Sequence, residues 1–156
     1  MTEASRTILI AALSVAAGMT WQAVRTAAIP LSSPDRLIAE LRLGQIAALV
    51  LVATASAYLG FASMHEAQPG AGLDIALALG FGIVAAMTLV RDPRQALTLL
   101  ALAFAAHAVL DVAHRPGVLP EAVAPRWYAL GCAMFNVYVG AVTYWPILRR
   151  DRAASS

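Results

Sequence analysis

Residues 43–64 read LGQIAALVLVATASAYLGFASM, without one formally charged side chain. Residues 127–148, WYALGCAMFNVYVGAVTYWPIL, are equally free of charge. A helix crosses the hydrocarbon core of a bilayer with about 20 mostly apolar residues, so each stretch is long enough to span. Composition carries the same message. The chain has 156 residues, 60% of them hydrophobic and 13% charged, against about 25% charged in soluble domains. A soluble fold of this size could not hide so much apolar side chain and would aggregate. Lipid as solvent removes that conflict.

Three further segments extend the pattern: 7–29, 73–90 and 95–114. Segment 73–90 is short and carries Asp74 at its start. Segment 95–114 is interrupted by His107, Asp111 and His114. Segment 7–29 is the weakest, with Gln22 and Arg25 near its end. The expected fold is all-α: a polytopic membrane helix bundle with five transmembrane helices, or four if the first segment is not a span. It forms one integral membrane domain over 1–156, with 149–156 as a tail. Arg6 before an apolar run has the look of a signal peptide, but Glu3 stands in its charged region and no small-residue cleavage pattern precedes a polar start. A retained span is expected.

Helix punctuation supports the boundaries. Ser33-Pro34 and Asp92-Pro93 each read as an N-cap followed by proline at the first helical position. The helix after Pro34 is expected to begin on the membrane surface, with Asp35, Arg36, Glu40 and Arg42 as wet first turns. Pro69-Gly70 and Pro116-Gly117 end the second and fourth segments.

All eleven basic residues are arginine. With five spans, eight of them fall on one side: Arg25, Arg36, Arg42, Arg91, Arg94, Arg149, Arg150 and Arg152. Arg6, Arg115 and Arg126 fall on the other. The positive-inside rule makes the first side cytoplasmic, giving an outside N-terminus and a cytoplasmic C-terminus in a bacterial-type plasma membrane. The net charge of +2 does not point to nucleic acid, because the arginines mark segment ends and form no basic patch interleaved with aromatics. Cys132 is the only cysteine, which rules out an intrachain disulfide and a zinc cage built of cysteines.

On this topology the three histidines, His65, His107 and His114, all approach the outer leaflet. His107, Asp111 and His114 stand at i, i+4 and i+7 and share one helix face. About 10 Å separates the two histidines along the axis, at 1.5 Å per residue, so one ion cannot easily take both. His107 with Asp111 can share a metal if neighbouring helices complete the shell, and imidazole with carboxylate suits Zn²⁺, Mn²⁺ or Fe²⁺. Otherwise Asp111 orients a histidine by accepting its ring proton. The fifth segment repeats Tyr128, Cys132, Asn136 and Thr143 along a polar stripe, and the second repeats Thr54, Tyr58, Phe61 and His65. Packing these two segments with the fourth would gather a site. His107, Asp111 and His114 are the candidate catalytic residues. His107, Asp111 and His65 are candidate metal ligands, and Tyr58, Tyr128, Cys132 and Asn136 candidate substrate contacts.

Structural readings stand beside these. Asn136, Thr54 and Thr143 serve as interhelical hydrogen-bond glue as readily. Cys132 is a small apolar filler, Asp74 an N-cap, and Glu66 a solvated end. The H-x3-D-x2-H string is too short to name a family. There is no H-E-x-x-H, Walker loop, G-x-S-x-G elbow or C-x-x-C-H.

Three functions follow. The first is a membrane enzyme, metal-dependent or acid–base, acting on a lipid or isoprenoid beside an apolar cavity. The second is a proton or ion carrier, or a channel subunit, which needs a polar path to the cytoplasmic side. The third is a non-catalytic accessory subunit, or a haem anchor with facing histidines.

Overall fold

A computed structural model describes residues 3–65, 69–114, 118–119 and 124–155, the last five of these by backbone alone. Five α-helices occupy the described residues: α1 (Glu3–Ala28), α2 (Pro34–Met64), α3 (Ala71–Thr88), α4 (Pro93–Ala113) and α5 (Arg126–Ser155). All five are long and apolar enough to cross a membrane. The chain is an all-helical membrane bundle with five spans. Each expected segment lies within or nearly within one helix. Pro116-Gly117, Glu66 and Arg115 lie outside the described residues.

The local chemistry explains the starts. Ser33 is extended and its hydroxyl accepts from the Asp35 amide at 3.3 Å, with Pro34 next. Asp92 caps α4 by accepting from the Gln95 amide at 3.1 Å, with Pro93 next. Gly70 precedes α3 at φ 102°, a left-handed backbone that a side chain disfavours. Asp74 is therefore not the cap of α3: it lies one turn inside the helix and is buried.

α2 runs through the centre and touches the other four helices, while α4 packs on α2, α3 and α5. Leu43, Leu51, Leu97, Leu100, Phe104 and Val139 are fully buried between them. Large apolar side chains also point outward from every helix, among them Leu13, Leu49, Ile83, Val109 and Val137, as a lipid-facing surface requires. Without a hydrophobic force between helices in lipid, close approach at small residues holds the bundle. α5 crosses α4 at Gly140, where an added Cβ would stand 3.1 Å from the Phe104 Cβ and 3.3 Å from the Ala101 carbonyl oxygen.

Two features depart from the expectations. Arg36 and Glu40 do not lie wet at the start of α2, for both are buried. The Arg36 Nε donates to Glu40 at 2.6 Å, and its two terminal nitrogens donate to the carbonyls of Ile29 and Pro146 at 3.1 Å each. Secondly, α5 does not stop at 148. It continues past Pro146 to Ser155, which brings Arg150 to 4.0 Å from Glu40.

Candidate functional site

At the opposite end of the bundle from Arg36, the C-terminal halves of α2 and α4 meet the N-terminal halves of α3 and α5. The helix periods decide what converges there. On α4, His107 and Asp111 lie one turn apart and face inward, at 3% and 4% exposure. On α5, Cys132 and Asn136 lie one turn apart and also face inward. From α2, Tyr58 reaches across the gap.

Asp111 is the centre. One carboxylate oxygen accepts the Tyr58 hydroxyl at 2.5 Å, and the other accepts the Asn136 amide at 3.3 Å. The same Asn136 nitrogen donates to the Cys132 sulfur at 3.3 Å. Two neighbouring helices thus satisfy one buried carboxyl group through hydrogen bonds, which lowers the cost of keeping it out of water. The His107 Nε2 lies 3.6 Å from Asp111 Oδ1, too far for a hydrogen bond. Its ring stacks on Phe81 of α3, with centroids 4.6 Å apart, and tilts against Tyr58.

Donor atoms of His107, Asp111 and Cys132 all lie within 4.8 Å of one another, the one such group among the described residues. The three can hold a metal ion. Tetrahedral zinc binds nitrogen and oxygen at about 2.0–2.2 Å, which sets two such ligands roughly 3.4 Å apart. The 3.6 Å between His107 and Asp111 is close to that edge, and the Cys132 sulfur lies within 4.8 Å of both. Three protein ligands leave a fourth position open, as catalytic zinc sites do. Tyr58 and Asn136 would then orient the ligand carboxylate, as outer partners do in metal sites.

His114 stands apart from that trio and faces α3. Its Nδ1 donates to the Leu110 carbonyl at 2.7 Å, because a carbonyl can only accept. That fixes the tautomer and leaves Nε2 facing Asp74 at 3.3 Å, with both side chains at most 4% exposed. A cavity of about 10 Å³, lined by Tyr58, Asp74, His107, Asp111 and His114, lies between this pair and His107. That is the space one water needs. The His107 Nδ1 and the His114 Nε2 are buried without a hydrogen-bond partner.

Of the residues singled out from sequence, Tyr58, His107, Asp111, Cys132 and Asn136 come together. Tyr128 packs edge-on against the Tyr58 ring at 6.0 Å. His65 does not join them: it is exposed at the end of α2, with Nδ1 donating to its own helix at Phe61. Asp74 and Phe81 were not foreseen as neighbours of the site. Their signal is present in the sequence, since 74, 78 and 81 stand at i, i+4 and i+7 and so share a face of α3.

No protein-family model matches the chain, and no curated protein or solved structure is significantly similar to it.

Proposed function

We propose that the protein is a membrane-embedded enzyme that works on a lipid-like substrate at a site formed by His107, Asp111 and Cys132. The observation that carries the proposal is the arrangement of these three donors. They are buried, come from two membrane-spanning helices, and bring their ligand atoms within 4.8 Å of one another, with His107 and Asp111 3.6 Å apart. Ionisable groups in a span are expensive, and functional sites are where they are kept.

Bound there, a divalent metal would act as a Lewis acid or lower the pKa of a bound water. Cysteine among the ligands favours Zn²⁺ or Fe²⁺ over Mn²⁺. Asp111 is positioned by Tyr58 and Asn136, and the Asp74–His114 pair lies one small cavity away. We further propose that this end of the bundle faces outward, from the excess of arginine at the other end.

The carrier reading requires polar groups along the bundle axis. Between Asn136 and Thr143 the interior is filled by Leu51, Leu100, Phe104 and Val139, each fully buried, which favours a closed site over a relay. Elemental analysis of the full chain purified in detergent, without chelators, tests the metal reading. Near-stoichiometric metal in the wild type, lost in His107→Ala and Asp111→Asn, is expected. A metal-free wild type would leave only the acid–base version.

A further inference from the structure

α1 is the loosest helix of the bundle. Its buried residues, Met19, Ala23 and Thr26, all lie in its C-terminal half. There the Tyr138 hydroxyl bonds the Thr20 hydroxyl at 2.6 Å and ties α1 to α5. From Glu3 to Ala17 nothing on α1 is buried. The N-terminal half stands off from α2 and α5 and leaves a groove of about 770 Å³. That is within the range of small-molecule sites, about 300–1,000 Å³.

The chemistry of the groove walls is one-sided. On α1 the wall includes Ile8, Leu9, Ala12 and Val15, spaced at i, i+1, i+4 and i+7 so that one face looks across at the other helices. The opposite wall includes Val50, Ala53, Gly131 and Phe135. From Ser5 to Val15 the groove runs about 15 Å, at 1.5 Å per helical residue. Its inner wall also includes Tyr128 and Cys132, and Cys132 belongs to the His107–Asp111 group. The groove is therefore an apolar slot whose wall carries a donor of the candidate site.

Water is a poor occupant of an apolar slot, and an empty one would forfeit the dispersion contacts of both walls. At hydrocarbon depth the molecules that reach it sideways are lipid chains. We infer that the groove between α1, α2 and α5 binds a single long alkyl or isoprenoid chain, and that it presents the chain's substrate lipid to Cys132 and Tyr128. The binding of the chain stands on the groove alone. Its identity as substrate rests on the enzyme reading proposed above.

The test reconstitutes the full chain into phosphatidylcholine vesicles containing a phospholipid with a photoreactive diazirine in one acyl chain. Cross-linked peptides are then mapped by mass spectrometry. Labelling concentrated on 5–15 and 127–135 is expected, well above that of the lipid-facing Leu79 and Ile83 on α3. Gly131 lines the groove and a Cβ there meets nothing within 4 Å, so Gly131→Leu should project into the slot and abolish the groove labelling while α3 labelling persists. Ala12→Leu, from the other wall, should do the same. Uniform labelling around the bundle, or groove labelling that both variants leave unchanged, would overturn the inference. So would cross-links joining two copies of the chain through this face. Groove labelling that survives in a His107→Ala chain shown to bind no metal would separate the two readings, since the groove does not use the imidazole.

Discussion

At the scale of single residues, the site is organised around one carboxylate. Asp111 is bonded by Tyr58 from α2 and Asn136 from α5 and lies beside His107 on its own helix. If the trio holds a metal, removing an outer partner weakens the metal without removing a ligand. Tyr58→Phe takes away the hydroxyl and keeps the ring that packs on His107 and Tyr128. Metal affinity should then fall about 10–100-fold, read by chelator competition. Stability should fall by only about 1 kcal/mol, in line with interhelical hydrogen bonds in membranes. An unchanged affinity would show that Tyr58 does not orient the ligand carboxylate. At the other end of the bundle the same residue-level logic predicts the opposite balance. Glu40→Gln leaves the buried Arg36 guanidinium without its counter-charge, a loss of about 3–5 kcal/mol for a buried pair. The melting temperature in detergent should drop while metal content stays at the wild-type level. A drop in metal with no drop in stability would place Arg36 and Glu40 in the site rather than the scaffold.

At the scale of helices, the bundle depends on where backbones can approach. Gly140 is the point where α5 lies against α4, and a methyl group there meets Phe104 and the Ala101 carbonyl at 3.1 and 3.3 Å. Gly140→Ala should therefore destabilise by about 1–3 kcal/mol, the usual effect of overpacking. Gly131→Ala, nine positions earlier on the same helix, faces open space and should be nearly neutral. Thermal unfolding followed by size-exclusion chromatography distinguishes them, and equal stabilities would contradict the close α4–α5 crossing. Helix existence was legible in sequence because charge-free stretches of spanning length admit few alternatives, and Ser33-Pro34 and Asp92-Pro93 marked two starts to the residue. Helix neighbours were not legible. The i, i+4 spacing of Arg36 and Glu40 is the same on a wet face and a buried one. Only the continuation of α5 through Pro146, whose carbonyl accepts from Arg36, decides between them. The ladder on α4 divides between its neighbours in the same way. Asp111 meets Tyr58 on α2 and Asn136 on α5, His107 packs between Phe81 on α3 and Tyr58 on α2, and His114 faces Asp74 on α3; periodicity along a single helix cannot say which neighbour each residue meets.

At the scale of the whole molecule, charge and polarity separate to opposite ends of the bundle. One end carries the Arg36–Glu40 pair and Arg150; the other carries the buried histidines, Asp111 and Cys132. If arginine sets the orientation, a C-terminal green fluorescent protein fusion should fluoresce and a C-terminal alkaline phosphatase fusion should be inactive. The reverse pair of results would invert the bundle and put the site on the cytoplasmic side. The central claim, that His107, Asp111 and Cys132 form one metal site, is tested most directly by titrating the metal-stripped full chain with cobalt(II). Cys132 is the only cysteine in the sequence, so any thiolate-to-cobalt charge-transfer band in the near ultraviolet belongs to it. Uptake of one cobalt per chain with that band is expected, with the band lost in Cys132→Ser and tight uptake lost in His107→Ala. A wild-type chain that takes up no cobalt tightly, or takes it up with no sulfur band and no response to His107→Ala, would contradict the claim.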